Sequence, residues 1–127
     1  MDTISETGTS LVGELSGAAV QPEQGDPDGS GQFALWFDRD TSSLCYELGV
    51  TSITNATAAH IHRGGPDQTG PVVVPLREPS PLHSEGCVPT DAALADEIFA
   101  DPNLFYVQVH TVQDPQGALR AQLRPTH

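Results

Sequence analysis

Alternation of apolar and polar residues with a period of two is the feature that most limits how this chain can fold. In residues 32–38 the side chains of Phe33, Leu35 and Phe37 fall on one face, and residues 43–50 repeat the pattern. Because successive side chains of a strand point to opposite faces, both stretches are predicted to be strands with one face in the core. The charged residues between the two stretches predict a tight turn.

Five further strands are predicted from shorter runs. They cover residues 10–15, 57–62, 71–76, 104–111 and 118–123. Frequent glycine (12) and proline (11) interrupt helices and suit short strands joined by turns. Three consecutive valines within residues 71–76 predict a buried strand. The proline-rich residues 76–90 predict irregular structure.

One helix is predicted over Asp91–Ala100, with Thr90 as its N-cap and Pro102 ending the run. Leu94 and Ile98 are four residues apart and would share its buried face. Together these elements predict an all-β fold, an antiparallel Greek-key sandwich or barrel of about seven or eight strands with one short helix. The 127 residues are predicted to form a single domain, in which the first nine residues are a flexible N-terminal segment.

The charge balance excludes several classes of partner. Five basic residues, all of them arginine, stand against 17 acidic residues, and the formal net charge is −12. A protein that binds nucleic acid or an anionic membrane surface needs a basic patch, which this composition cannot supply. No stretch is apolar and long enough to cross a bilayer, so membrane insertion is not expected. The scattered acidic residues predict a solvated surface, although a negative field would also attract cations.

Two cysteines, Cys45 and Cys87, bear on the compartment. Cys45 falls on the outward face of its predicted strand and Cys87 in a predicted loop, which a disulfide would tether. Two free thiols are the alternative, but an even count with no third thiol favours the disulfide, and a disulfide indicates an oxidising compartment. The N-terminus lacks the basic end and apolar centre of a signal peptide, so the expectation is a secreted chain whose signal peptide has been removed.

Three histidines form a candidate metal site. His60 and His62 flank Ile61 in a predicted strand, so their imidazoles share one face. In residues 106–110 the valines are expected to face the core, which turns His110 outward as well. If the two strands are neighbours or are bridged by a loop, three neutral imidazoles can meet and bind copper or, as the less favoured ion, zinc. The alternative is that the histidines donate hydrogen bonds to loop backbones and brace them.

Several motifs resemble the CHRD domain, a family named after chordin. They are residues 58–64 (Ala-Ala-His-Ile-His-Arg-Gly), 70–76 (Gly-Pro-Val-Val-Val-Pro-Leu), 106–111 (Tyr-Val-Gln-Val-His-Thr) and 115–123 (Pro-Gln-Gly-Ala-Leu-Arg-Ala-Gln-Leu). The opening Leu15-Ser16-Gly17 also fits, with Gln21 where a second proline is usual. The resemblance covers nearly the whole chain and implies an extracytoplasmic location without a particular reaction. An extracellular protein or polysaccharide is then the expected partner, and exposed strand edges could also pair two copies into a homodimer.

The order of the histidine motifs is also similar to that of copper/zinc superoxide dismutase. There a His-Val-His strand and a later strand ending in histidine supply copper ligands, and an arginine lies near the last strand. The corresponding residues are His60, His62, His110 and Arg120, which implies a copper site with Arg120 beside it. The zinc-binding loop of the dismutase is rich in histidine, whereas the one histidine between residues 63 and 103 of this chain is His83. A zinc subsite is therefore expected to be missing. This departure counts against dismutase activity but not against a single copper ion. His83 is a candidate fourth copper ligand, and the alternative is a solvated side chain in a proline-rich loop.

No other catalytic constellation stands out in the sequence. The chain has no nucleophile-elbow sequence and no Walker loop, and its glycine-rich residues 63–70 lack a phosphate-binding motif. Two hypotheses from different classes follow. The first is an exported protein that binds copper for storage, delivery or redox chemistry. The second is a metal-free adhesion or interaction module.

Overall fold

The structure, a computed structural model, describes residues 10–126 as one antiparallel sheet of nine strands with a helix between the sixth and seventh. The strands are β1 (Leu11–Ser16), β2 (Ser30–Asp38), β3 (Ser43–Thr51), β4 (Ala56–Arg63), β5 (Val72–Leu76), β6 (His83–Pro89), β7 (Phe105–Thr111), β8 (Leu119–Gln122) and β9 (Arg124–Pro125). The helix is α1 (Ala92–Ala100), and a 3-10 turn at Pro102–Leu104 follows it. The segment that was predicted to be flexible, residues 1–9, lies outside the described residues.

The strand order gives the sheet Greek-key connections. Neighbouring strands run β5-β4-β7-β8-β1-β2-β3-β6, and β9 pairs with β1. The connections from β3 to β4 and from β6 to β7 pass over intervening strands. As a result β3 pairs with β6, and β4 pairs with β7. The two ends of the sheet, β5 and β6, contact each other, so the sheet nearly closes into a barrel. The prediction of an all-β Greek-key sandwich or barrel is confirmed.

The interior of this barrel contains the residues that the period-two pattern assigned to it. Phe33 and Leu35 of β2 are buried, and Phe37 packs against the same core. The alternating apolar residues of β3 are buried with them. From α1, Ile98 is fully buried and Leu94 is partly buried against the core. Each large apolar side chain removed from water in this way stabilises the fold by about 1.5–3 kcal/mol.

The prediction that residues 76–90 are irregular was wrong. Strand β6 forms there and pairs with β3 along its whole length. Among the described strands β6 pairs with β3 alone, so the proline at its end interrupts no central ladder. Cys87 therefore lies in a strand and not in a loop, directly opposite Cys45.

The two cysteines form the predicted disulfide. Cys45 points away from the core cluster, as its position in the alternation of β3 predicted, yet it is only 3% exposed. Cys87 lies on the edge strand and is exposed. The bond joins residues 42 positions apart and fastens β6 to the rest of the sheet.

Two local predictions need correction. The N-cap of α1 is Asp91 and not Thr90, because the Asp91 carboxylate accepts a hydrogen bond from a backbone N–H of the first turn. Strand β5 is not buried as a whole, since Val72 is 47% exposed, Val73 is partly buried against the core and Val74 is fully buried. This strand stands at one end of the sheet, where among the described strands it pairs with β4 alone.

Candidate metal centre

Two neighbouring strands, β4 and β7, bring three histidines together. His60 and His62 are two residues apart on β4, so both imidazoles leave the same face. The antiparallel pairing places Ala58 opposite His110 and His60 opposite Gln108. His60 and His110 are therefore diagonal neighbours across the ladder, within reach of each other's rings. The Greek-key crossover that makes β4 and β7 adjacent is what creates the cluster.

The three imidazoles converge on one small volume. Ring centroids lie 5.3 Å apart for His60 and His110, 5.6 Å apart for His60 and His62, and 6.4 Å apart for His62 and His110. One nitrogen of each ring lies within 4.8 Å of the corresponding nitrogens of the other two. Imidazole nitrogens bind a zinc-sized ion at about 2.0–2.1 Å, so two ligands of one ion lie at most about 4.2 Å apart. Small rotations of the rings would close this set around a single ion.

Hydrogen bonds of these rings decide which nitrogens are available. Nδ1 of His62 donates to the carbonyl of Gly70 at 2.9 Å, and Nδ1 of His110 donates to the carbonyl of Pro115 at 3.0 Å. A neutral ring that donates from Nδ1 keeps its lone pair on Nε2. Nε2 of both rings and Nδ1 of His60 are buried and have no hydrogen-bond partner among the described residues. The cluster therefore offers three unpartnered nitrogens, two of them in rings that backbone carbonyls already orient.

Burial and repulsion from nearby positive charge favour the neutral form of His60 and His62. Loss of contact with water lowers the pKa of His60 below the ordinary value of 6.5, and the nearby His110 and His62 lower it further. Burial also lowers the pKa of His62, an effect that the hydrogen bond to Gly70 partly offsets. Neutral imidazole is the form that binds metal ions, so the lowered pKa values favour the metal-binding form of His60 and His62 at neutral pH.

A column of stacked groups lies against His62. The ring of Tyr106 is parallel to that of His62, with an interplanar angle of 4° and 4.8 Å between centroids. The guanidinium carbon of Arg120 lies 3.5 Å from the centroid of the Tyr106 ring. The Tyr106 hydroxyl accepts a hydrogen bond from the N–H of Gly70, whose carbonyl in turn accepts from His62. The structure thus links Arg120 to the histidine cluster through Tyr106.

Sequence reasoning missed Tyr106, although the period-two pattern held a signal for it. Tyr106, Gln108 and His110 occupy alternate positions of β7 and therefore share its outward face. The carbonyl partners, Gly70 and Pro115, belong to loops. These two carbonyl groups could not be predicted from a sequence pattern, because loop conformation sets the direction in which they point.

Comparison with known families places the fold and its site in context. The family model of the CHRD domain matches residues 11–123, a range that includes the three histidines and Arg120. The chain belongs to the CHRD domain family. No curated protein and no solved structure matches it. The similarity to copper/zinc superoxide dismutase therefore receives no support from a matching protein.

His83 lies in another part of this CHRD domain. It is the first residue of β6, pairs with Gly49, and its Nε2 lies 3.9 Å from a carboxylate oxygen of Glu85. The converging ligand atoms come from His60, His62 and His110 without it. The structure therefore does not bring His83 to the cluster.

Two observations bear on the compartment of the CHRD domain. Its cysteines are paired in a disulfide, which is the state maintained in oxidising compartments. Family membership and the disulfide both agree with an extracytoplasmic location. Among the described residues, the helices are too short or too polar to cross a membrane.

Proposed function

We propose that this CHRD domain is an exported protein that binds one copper ion through His60, His62 and His110. The observation that carries the proposal is the convergence of three buried imidazole nitrogens without hydrogen-bond partners among the described residues. A buried polar atom left unpaired costs about 1–3 kcal/mol, and a bound ion would remove that cost. Copper held in this way would serve storage, delivery or one-electron redox chemistry.

Copper is the ion that this set of ligands favours. Imidazoles bind both copper and zinc, and at a given nitrogen site divalent copper binds more tightly than zinc. The carbonyls that accept from Nδ1 of His62 and His110 orient these rings and raise their basicity as ligands. Three protein ligands leave a coordination position for water or another small ligand. The net charge of −12 adds a long-range attraction for cations.

A copper titration of the metal-free protein, followed by electron paramagnetic resonance, tests the proposal. We expect one copper per chain and hyperfine structure from coordinated nitrogen. A parallel titration with zinc is expected to show weaker binding. Absence of stoichiometric copper would contradict the proposal and leave a metal-free interaction module.

Copper affinity is expected to fall in the pH range where the imidazoles take up protons. Because their pKa values are lowered, His60 and His62 are less protonated at about pH 6.5 than an ordinary histidine, which is half protonated there. Copper binding should therefore persist at that pH and weaken below about pH 6, as protons compete for the nitrogens. Copper titrations in steps of pH check this. An affinity that stays constant down to about pH 5 would contradict histidine ligation.

The metal-free protein is expected to lose stability over the same range. With folded-state pKa values below the unfolded value of 6.5, the unfolded chain binds protons first as the pH falls. The free energy of unfolding therefore declines from about pH 6.5 downwards until the folded-state histidines are protonated too. Denaturant unfolding in the presence of chelator measures the change. Stability that rises on acidification through this range would contradict the lowered pKa values.

A metal-free interaction module is the second candidate function, and two hydrogen bonds favour it. His62 and His110 hold the carbonyls of Gly70 and Pro115, so both rings brace loops next to the sheet. In this alternative the braced loops recognise an extracellular protein or a polysaccharide, or a strand edge pairs with a second copy. Membership of the CHRD family supports an extracellular interaction role.

Bracing is testable in chelator, where metal plays no part. His110→Ala is expected to lower the free energy of unfolding by about 0.5–1.5 kcal/mol through loss of its hydrogen bond to Pro115. His60→Ala is the matched control, because Nδ1 of His60 has no hydrogen-bond partner among the described residues. Thermal melts of both variants compare the two effects. Equal Tm values for the His110→Ala and His60→Ala variants would show that the hydrogen bond of His110 to Pro115 does not stabilise the fold.

A further inference from the structure

Arg120 carries a positive charge that the fold buries without a carboxylate partner. Its side chain is 1% exposed. Nη2 donates to the carbonyl of Gly65 at 2.7 Å, to Oε1 of Gln122 at 2.8 Å and, more weakly, to the carbonyl of Pro66 at 3.4 Å. All these acceptors are neutral, and within the part of the chain that the structure describes Arg120 forms no ion pair. Nη1 is buried and has no hydrogen-bond partner among the described residues.

This charge lies one aromatic ring away from a proposed copper ligand. The guanidinium carbon of Arg120 lies 3.5 Å from the centroid of the Tyr106 ring. The Tyr106 ring stacks in turn on His62, with 4.8 Å between the two centroids. Tyr106 is 1% exposed and His62 is 9% exposed, so little water can enter the column. Charges act on each other more strongly in such surroundings than across solvent. Burial of a charge without an ionic partner costs free energy, so the presence of Arg120 beside the histidine cluster points to a role there.

We propose that the buried positive charge of Arg120, held on Tyr106 beside His62, favours Cu(I) over Cu(II) at the three-histidine site. This inference rests on the proposed copper site. If bound Cu(II) accepted one electron from an external one-electron donor such as ascorbate, the centre would lose one unit of positive charge, and no protein bond would form or break. A fixed cation repels Cu(II) more than Cu(I), so it stabilises the reduced ion and raises the reduction potential.

The charge on Arg120 is permanent under the conditions in which the histidines bind metal. Burial lowers the pKa of Arg120, whereas Tyr106 and Asp67 raise it. A guanidinium remains protonated far above neutral pH, so the repulsion does not vary with pH as the histidine charges do. Asp67 is an exposed carboxylate in the loop between β4 and β5, and it partly offsets the charge of Arg120.

The variant Arg120→Gln tests the inference by removing the charge and keeping a polar side chain. Competition with an amino-acid chelator measures the Cu(II) affinity, and competition with a chromogenic Cu(I) chelator in ascorbate measures the Cu(I) affinity. We expect the ratio of Cu(I) affinity to Cu(II) affinity to fall about tenfold, which corresponds to a reduction potential about 59 mV lower.

Arg39→Gln is the matched control for this experiment. Arg39 also lies over an aromatic ring, 5.3 Å from the centroid of Phe37, but it is exposed and paired with Asp96. Its removal changes the net charge equally and is expected to leave the affinity ratio at the parent value. A folded Arg120→Gln variant with the parent ratio would overturn the inference.

A surface variant keeps the inference testable if Arg120→Gln does not fold. Asp67→Asn removes the exposed carboxylate that offsets Arg120, so the ratio of Cu(I) affinity to Cu(II) affinity is expected to rise by about two- to threefold. A ratio that stays constant or falls would overturn the role of Arg120. A parent protein that binds no stoichiometric copper would instead overturn the copper site itself, which separates the two failures.

Discussion

The double variant His60→Ala/His110→Ala is expected to lose stoichiometric copper binding. It removes two of the three converging nitrogens and leaves His62 as a single imidazole. Loss of a residue that merely orients a ligand costs about 10–100-fold in metal affinity, so loss of two ligands should cost at least about a thousandfold. Both replaced side chains are only partly buried, so the fold is expected to persist. Titration of the folded, metal-free variant with copper measures the effect.

His83→Ala is the matched control for the copper site. It removes a histidine of the same chain that lies on β6, outside the converging group. We expect it to bind one copper per chain with the affinity of the parent. Stoichiometric copper in the double variant would contradict the site, and a weakened His83→Ala variant would identify His83 as a further ligand.

Removal of the disulfide, in the variant Cys45→Ala/Cys87→Ala, is expected to cause a large loss of stability. The bond joins residues 42 positions apart, and closing a loop of that length stabilises a protein by roughly 3–4 kcal/mol in the chain-entropy model. That is a large part of the about 5–15 kcal/mol by which small domains are stable. The bond also fastens β6, which has β3 as its sole pairing partner among the described strands. Denaturant unfolding followed by circular dichroism measures the loss.

Reduction of the parent protein provides the control for the cysteine variant. A thiol reagent breaks the same bond without changing the sequence, so both proteins should unfold at similar denaturant concentrations. Copper affinity of the cysteine variant should equal that of the parent, because the proposed ligands lie on β4 and β7. An unfolding midpoint equal to that of the oxidised parent would contradict the stabilising role of the disulfide.

The candidate metal site was largely predictable because it depends on side-chain direction within single strands. Residues at i and i+2 leave the same face of any strand, so His60 and His62 had to point together. The valines beside His110 turned it outward in the same way. The proximity of β4 to β7 was a condition of the hypothesis, and the strand pairing fulfils it.

Other features of the site come from parts of the chain that no local pattern connects. The carbonyls of Gly70 and Pro115 decide which nitrogen of each ring is available, and both belong to loops. Arg120 reaches His62 only by way of Tyr106, across three neighbouring strands. Such contacts depend on the assembled sheet and on loop conformation.

Strand β6 shows the same limit for the fold. Its sequence, rich in polar residues and ending in Pro89, carries no clear alternation. It becomes a strand because the free edge of β3 offers hydrogen bonds and because Cys87 meets Cys45 across that edge. The valines of β5 show the opposite error of prediction. Their apolar run predicted a buried strand, but β5 lies at one end of the sheet and Val72 is exposed.

The all-β class, the inward faces of β2 and β3, and the shared outward direction of three histidines follow from the amino-acid sequence alone. These properties follow from the period of two, which is local and holds wherever a strand lies in the sheet. The folded structure was needed to show which strands are neighbours, which imidazole nitrogens lack partners among the described residues, and that the buried Arg120 lies one ring away from His62. The reason is that strand pairing and loop conformation depend on interactions between residues far apart in the chain, which local periodicity does not encode.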